Sequence, residues 1–453
     1  MNSLYSNDIA TSTDPPVSPT GNPSRRICPT TGVHSKLAFT TQPTDKPVKV
    51  CYVGCPGFPT GFAEIERIKM ISKAINKSGV DVTVLSRKGI LAPQENISFA
   101  SKGVFEGIPY VISSGTSYRP TGFFRRNLLK VKGILNEMRF LRRWANDHTL
   151  KCLMISTKDF ADLLFYVTLA KAFKITTILN SDELASSMTG RVTPFLRLND
   201  YLFEKMGYRM VDGALPISQF LFEFIGKVAP ETPNLKIPVL FDMEKFQMEI
   251  APDGPDYFLF CGAAGYLEVI SFVLSAFDLV HSEKEISLVL ICHGNPEEMN
   301  SLYTEIRKMK KQTLVKIYTS LPYDKLVGLY KGAIALLIPL RPSIQDKARF
   351  PHKIGEYAAS GRPIITTANG EVPYYFVDMK TALIAKNYDK VEFAEKMEYA
   401  IQFPEKMYKI GIAAKTLAEQ KFSYMKYGHR ILSFIYSIQT REKNCNAIAK
   451  QFQ

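Results

Sequence analysis

No run of about 18 apolar residues occurs in this chain, so no membrane-spanning helix is expected. The N-terminal stretch MNSLYSNDIATSTDPPVSP lacks the basic-then-apolar order of a secretory signal. Cysteine is sparse and scattered: Cys28, Cys51, Cys55, Cys152, Cys261, Cys292 and Cys445 form no C-x-x-C pair, so neither a disulfide framework nor a zinc site is indicated. Cys51, Cys152, Cys261 and Cys292 lie inside apolar, strand-like runs, where a free thiol acts as a small hydrophobe. There is no Walker A sequence, no G-x-G-x-x-G and no Asp-x-Asp. These absences predict a reduced, cytoplasmic protein that has no metal site and is neither a P-loop nor a classical dinucleotide enzyme.

What is present is an ordinary globular composition, 46% hydrophobic and 22% charged, over 453 residues. That length suits two domains of about 150–200 residues each. The formal net charge of +14 is unevenly spread. Residues 119–144, RPTGFFRRNLLKVKGILNEMRFLRRW, carry eight Arg/Lys against Glu137 alone, a net +7. Phe124, Leu128, Val131, Leu135 and Met138 follow helical spacing, so 124–144 is an amphipathic basic helix. Two readings stand: the apolar stripe packs on its own domain, or the helix docks on an anionic membrane through Arg125, Arg126, Lys130, Arg142 and Arg143. No recognition motif accompanies the charge, so nucleic acid is not expected as a partner.

Residues 1–46, rich in Ser, Thr, Pro and Asn, read as a disordered tail. VKVCYVG (48–54) then begins a rhythm of β-branched runs and helical patterns. DVTVLS, CLMIST, ITTILN and GALPIS follow in the first half; YFLFCGA, SLVLICHG, LVKIYTS, AIALLIPL, PIITT and ALIAK in the second. Continuous apolar strands alternating with helices predict parallel sheets covered on both faces. The division falls in 237–258, giving a first domain over 47–240 and a second over 255–421. A terminal helix, 422–440 with Met425, Ile431 and Ile435 among its apolar positions, is expected to pack back across the junction. Ligands of such sheets bind at the carboxyl ends of the strands, so the cleft between the domains is the expected site.

The first strand leads into a loop containing Gly54, Gly57 and Gly61, either a tight strand-to-helix turn or a weak anion cradle. The stretch FPHKIGEYAASGRPIITTANGE (350–371) carries more. Pro351 is expected to open a helix over 351–360, and Gly361 with Pro363 to end it. Lys353 sits in the first turn, where the helix dipole disfavours a cation unless an anion offsets it. Glu356 lies on the same side. On spacing alone this is either a surface ion pair or a cation for a diphosphate beside a carboxylate for a ribose. Gly370 and Glu371 open the next helix, where backbone N–H groups are free.

The stretch RFPHKIGEYAASGRPIITTANGEVPYYFVDMKTALIA resembles the nucleotide-sugar signature of the retaining group-1 (family-four) glycosyltransferases. FLFCGAAGYLEVISFVLSAF, YTSLPYDKLVGLYKGAIALLIPL, KIPVLFDMEKF and DGALPISQFLFEFI are similar to further parts of that pattern. The resemblance implies an α/β protein of the GT-B fold: two doubly wound, Rossmann-like domains facing a central cleft. It implies a nucleotide-diphosphate sugar as co-substrate with no other cofactor, and a saccharide or lipid-linked acceptor. Cell-surface polysaccharide or glycolipid synthesis, at the inner face of the membrane, would be the setting. Lys353 matches the family's phosphate-contacting Lys, Glu356 its ribose-binding Glu, and Glu371 the carboxylate that approaches the donor sugar. Gly262 lies in the first donor-domain loop.

The chain departs from the family where Ala263, Glu268 and Ala348 replace two expected cations and a second Glu. Arg341 and Arg349 are candidates to supply the charge, and Asp346 to replace the carboxylate. Asp182, after the acceptor-domain strand in NSDELASS, is the candidate to orient the acceptor hydroxyl, although Ser181 or Asp182 could equally cap a helix. A catalytically impaired nucleotide-sugar-binding scaffold, or another reaction on the same fold, stays open.

Overall fold

The computed structural model describes residues 49–55, 57–59, 61, 63–91, 99–247 and 256–451, the last ten of these as backbone only. The expected tail over 1–46 lies outside the described residues, as do the side chain of Cys445 and all of Cys28.

Among the described residues the first sheet has seven strands: β1 (Lys49–Val53), β2 (Asp81–Ser86), β3 (Lys102–Phe105), β4 (Ile108–Ile112), β5 (Leu150–Ile155), β6 (Thr176–Ser181) and β7 (Gly213–Pro216). Their order is β3-β4-β2-β1-β5-β6-β7, parallel except for the β3–β4 hairpin. The second sheet has six: β8 (Tyr257–Ala263), β9 (Ser287–His293), β10 (Val315–Tyr318), β11 (Ala335–Ile338), β12 (Ile364–Thr367) and β13 (Leu383–Ala385). All its pairs are parallel, in the order β10-β9-β8-β11-β12-β13, the doubly wound dinucleotide-fold order.

Apolar runs make these strands because both faces are covered. Along β8, β9 and β11, Leu259, Val289 and Leu336 face one helical layer, and Phe258, Phe260, Leu288, Leu290 and Leu337 face the other. In the first sheet Val50, Tyr52, Val82 and Val84 pack on the Ala63–Lys77 helix and on Ile431, Ile435 and Ile438. The chain order reverses beside β1/β5 in one sheet and β8/β11 in the other. A crevice opens at the carboxyl ends of the strands at each reversal.

Phe422 and Ser423 bring the chain back from the second domain by pairing with Phe241. The expected single helix is divided here: Met425 lies exposed in a 3-10 turn, Tyr424–Lys426, and the helix proper is Gly428–Gln451. Ile431 and Ile435 are buried on the first sheet. The junction itself is a continuous apolar core in which Leu184, Ile217 and Leu221 meet Val239, Phe241, Leu340 and Phe350.

The basic helix spans Phe123–Asn146 and its orientation settles one alternative. Its buried residues are Gly133, Glu137 and Leu141, one narrow stripe at i, i+4, i+8. The apolar stripe faces outward: Phe124 is 87% exposed, Leu128 70% and Val131 54%, with Leu135 and Met138 also exposed. Two contacts turn the helix this way. Arg87 Nε donates to the buried Glu137 carboxylate at 2.8 Å. A Cβ at Gly133 would stand 2.7 Å from the Arg87 carbonyl, so only glycine admits that approach. The expectation that the stripe packs on its own domain is therefore corrected.

Candidate active site

Lys353 and Glu356 stand on the His352–Ala359 helix between β11 and β12. Pro351 caps this helix rather than occupying its first turn. The Lys353 ammonium meets the Glu356 carboxylate at 2.8 Å, and Tyr330 Oη donates to the same carboxylate at 3.4 Å. Burial would lower the Lys353 pKa, but the Glu356 charge and hydrogen bond, together with the neighbouring Cys261 and Glu66, outweigh it and raise the value. Glu356 faces a cavity of about 20 Å³ between the domains, lined also by Glu66, Asp242, Lys245, Tyr323 and His352. Burial, with help from Arg67, pushes His352 down to about 3 against the pull of Asp182, so this imidazole is neutral at neutral pH.

Across the cleft, Asp182 follows β6 at the carboxyl rim of the first sheet. It does not cap a helix; its carboxylate meets Lys158 at 3.1 Å. Lys158 reaches Glu64 at 3.5 Å, and Ser156 Oγ donates to Glu64 at 2.8 Å. One ammonium thus serves two carboxylates. Burial would raise Asp182, but Lys158 and Arg67 outweigh it and hold the group below its ordinary range. Burial, reinforced by the Asp182 charge, raises Glu64 despite Lys158. Arg67 is fully buried, donating to Asn180 Oδ1 at 2.8 Å and to the carbonyls of Leu215, Ile237 and Pro238. It ties the rim to the interdomain connector. Sequence reading missed Glu64, Ser156, Lys158 and Arg67. The one local signal was Glu64 in the first turn after the glycine loop, while its partner Lys158 is 94 residues away.

The glycine loop is a tight turn. Gly54 has φ +79° and a Cβ there would lie 2.9 Å from the Ser156 carbonyl. The Gly57 N–H is taken by Ser86 Oγ at 3.2 Å and Gly61 lies against Ile65, so the anion-cradle alternative finds no support.

In the second domain, Gly262 ends β8 beside the Phe260 ring. Asp346 is fully buried and clamps both arginines: Arg341 through Nε at 3.1 Å and Arg349 through Nη2 at 2.7 Å. In this arrangement its carboxylate is taken by the two arginines rather than presented to a ligand. Arg341 is engaged further by Glu268 at 2.9 Å. Arg349 lies over the Tyr266 ring at 4.7 Å and keeps its buried Nε without a hydrogen-bond partner. Ala348 is buried and its carbonyl accepts from Ser218 Oγ at 2.6 Å.

Gly370 packs against the Asp346 carbonyl, which a Cβ would approach to 2.5 Å. Glu371 is 1% exposed. It accepts from the Gln219 backbone N–H at 2.5 Å and from Lys236 at 3.1 Å. In this arrangement it bridges the two domains rather than presenting a free carboxylate to a sugar, and burial raises its pKa. Among the described residues no group of three or more His, Cys, Asp or Glu is placed to hold a metal ion. Cys51, Cys55, Cys152 and Cys292 are buried and Cys261 is half-buried, all as free thiols.

Two doubly wound sheets facing each other across such a cleft define a GT-B protein. Residues 242–417, the connector and second domain, match the family model described as Glycosyl transferases group 1. No curated protein matches the chain in sequence. Among solved structures, a sucrose-phosphate synthase from Thermosynechococcus elongatus is similar with TM-score 0.69 and 13% identity, over 87% of this chain and 100% of its own. HepE of Anabaena, in complex with UDP and glucose, gives TM-score 0.64 and 12% identity over 86% and 100%. A glycosyltransferase from Rickettsia africae gives 0.63 and 14% over 87% and 99%. At such identities the likeness shows the fold.

Proposed function

We propose that this protein transfers a glycosyl unit from a nucleotide-diphosphate sugar to a saccharide or lipid-linked acceptor. Anomeric configuration is retained and no obligatory metal is used, in cell-surface polysaccharide or glycolipid synthesis. The observation that carries this reading is the Lys353–Glu356 pair at the strand-end crevice of the family-matched domain. The anion that a cation in a helix first turn calls for is Glu356 itself. When a donor enters, Lys353 turns to the diphosphate and Glu356 is released to accept the two ribose hydroxyls. Arg349, held by Asp346 beside the same helix, supplies a second positive charge at the crevice. Departure of the nucleoside diphosphate is stabilised by these cations, so no enzyme nucleophile is required. Asp182, kept ionised by Lys158, orients the acceptor hydroxyl from the opposite rim. HepE, which has this fold, has been seen with UDP and with UDP-glucose, which supports a nucleotide sugar as donor.

The outward apolar stripe of the Phe123–Asn146 helix, flanked by Arg125, Arg126, Lys130, Arg142 and Arg143, supports docking on an anionic membrane. Among the described residues no helix is long and apolar enough to cross one. A second reading, a nucleotide-sugar-binding scaffold without turnover, is favoured by one observation: Arg341 and Glu371 are already engaged within the protein. Thermal stabilisation by UDP, GDP and their sugar conjugates tests the site. A ligand at 100 times its Kd adds about 2.7 kcal/mol, and Glu356→Ala is expected to abolish the shift. Silence with every nucleotide would sink the donor site, and binding without release of nucleotide from any donor–acceptor mixture would favour the scaffold.

A further inference from the structure

The larger of the two cavities described here is not the one beside Glu356. It holds about 310 Å³ and opens on the first domain alone, between the turns that follow β2 and β4 and the first turns of the basic helix. Lys88, Arg119, Arg126 and Lys130 line it, with Tyr118 and Phe123. No carboxylate is among the lining residues. Among the described residues none of the four cations has a carboxylate within 4 Å, although elsewhere this protein pairs its charges densely. The Phe123–Asn146 helix starts at Gly122 with no side-chain cap and no acidic residue in its first turn, so its N-terminal dipole adds to the positive field. Lys88 records that field: burial first, then Lys130 and Arg119, lowers its pKa. Four cations and a helix N-terminus around one cavity are a costly arrangement without an anion inside it.

We propose that this cavity binds the phosphate of an acceptor that carries an apolar tail, the tail leaving past Phe123 along the exposed stripe of the same helix. This deepens the reading of a lipid-linked acceptor and rests on it. The topology supports the assignment, because β2 and β4 end on the rim that also carries Gly54, Lys158 and Asp182. Leu91 pairs with Tyr118, and Gly57 bonds Ser86, so the cavity wall is continuous with the glycine loop at the cleft. An acceptor anchored here would extend its sugar or hydroxyl end over that loop toward Asp182. Phosphate monoesters and diphosphates fit the cations, and the lining rings suit the first carbons of a tail.

The test is direct binding to the full chain of dodecyl phosphate below its micelle concentration, of inorganic phosphate, and of the neutral dodecyl maltoside. Dodecyl phosphate is expected to bind most tightly, inorganic phosphate to compete weakly, and the neutral detergent not to compete. Arg119→Gln with Arg126→Gln should weaken dodecyl phosphate about tenfold or more, the change for losing hydrogen bonds to a charged group. Arg142→Gln with Arg143→Gln removes the same charge far from the cavity and should leave the affinity in place. Equal affinity for inorganic and dodecyl phosphate would show a free-anion site and overturn the proposal. So would equal losses in the two double variants, which would mean a diffuse field. The nucleotide shift depends on the other domain and should persist in both variants. Its absence from the wild type would count against the donor reading while leaving this measurement readable.

Discussion

The two domains share a fold plan and treat charge in opposite ways. In the second, every cation near the crevice is held by a carboxylate: Arg341 and Arg349 by Asp346, Lys353 by Glu356. In the first, the rim near Asp182 is paired in the same manner, but the outer edge is not. Lys88, Arg119, Arg126 and Lys130 line a cavity with no carboxylate among its described lining residues, and Phe124, Leu128 and Val131 face solvent. The family match covers residues 242–417 and stops short of that edge. Internally neutralised charge is what a protein keeps when the ligand comes and goes by exchange of partners. Unmatched charge beside an unmatched apolar stripe points to something outside the chain that completes it.

If that contrast is real, removing a charge should have opposite consequences in the two domains. The largest effect is expected at Asp346. Asp346→Ala leaves two arginines without their buried partner, and breaking such a pair costs about 3–5 kcal/mol. Chemical denaturation should show it as a lowered midpoint. Glu268, 70% exposed along its side chain, holds Arg341 from the solvent side. Its removal should cost no more than about 1 kcal/mol. In the first domain Arg126→Gln should leave the midpoint unchanged or raise it, because it relieves repulsion. A substantial loss of stability there would mean that Arg126 has an internal partner, and the contrast would fail.

A middle-sized effect is expected on the apolar edge. Leu128→Asp with Val131→Asp should leave stability within about 0.5 kcal/mol, since both side chains are already exposed. Sedimentation with anionic vesicles should lose the variant at salt concentrations that retain the wild type. Wild-type binding should itself fall steeply with salt. Vesicle binding that ignores both changes would assign the stripe to some other occupant.

Much of this was legible in the residues, for reasons that differ by region. Apolar runs such as SLVLICH declare themselves because a strand buried on both faces needs little but apolar side chains. The β3–β4 hairpin passed unnoticed because its strands are short and half-exposed. It turns at Glu106 and Gly107, both with positive φ, without the Asn-Gly or Asp-Gly that usually marks such a turn. Lys353 and Glu356 were legible because three residues on one helix fix their geometry. The Glu64–Lys158–Asp182 cluster was not, since it assembles from a helix start and two loops that follow three different strands. The outward face of the basic helix was hidden for a subtler reason. A hydrophobic pattern predicts the buried side only if nothing outbids it, and here Gly133 and the Arg87–Glu137 pair do.

The effect that is smallest near neutral pH would sharpen the view of the cleft itself, where the Asp182 charge acts on His352. His352 has its pKa depressed to about 3 in the fold, against the ordinary 6.5 of a solvated imidazole. A base depressed in this way takes up its proton on unfolding. Its contribution to stability is therefore complete above about pH 6.5 and is lost as pH falls from there toward 3. The loss is under about 1 kcal/mol at pH 6 and steepens to at most about 1.4 kcal/mol per pH unit below that. His352→Gln should flatten the acid limb of the midpoint-versus-pH curve while leaving it unchanged at pH 8. Nucleotide binding reaches the same group from another direction. A diphosphate beside Lys353 brings negative charge close to the imidazole and should raise its pKa, so saturating nucleotide should shrink the acid-limb difference between wild type and variant. A difference that stays the same with and without nucleotide would place His352 away from the bound diphosphate.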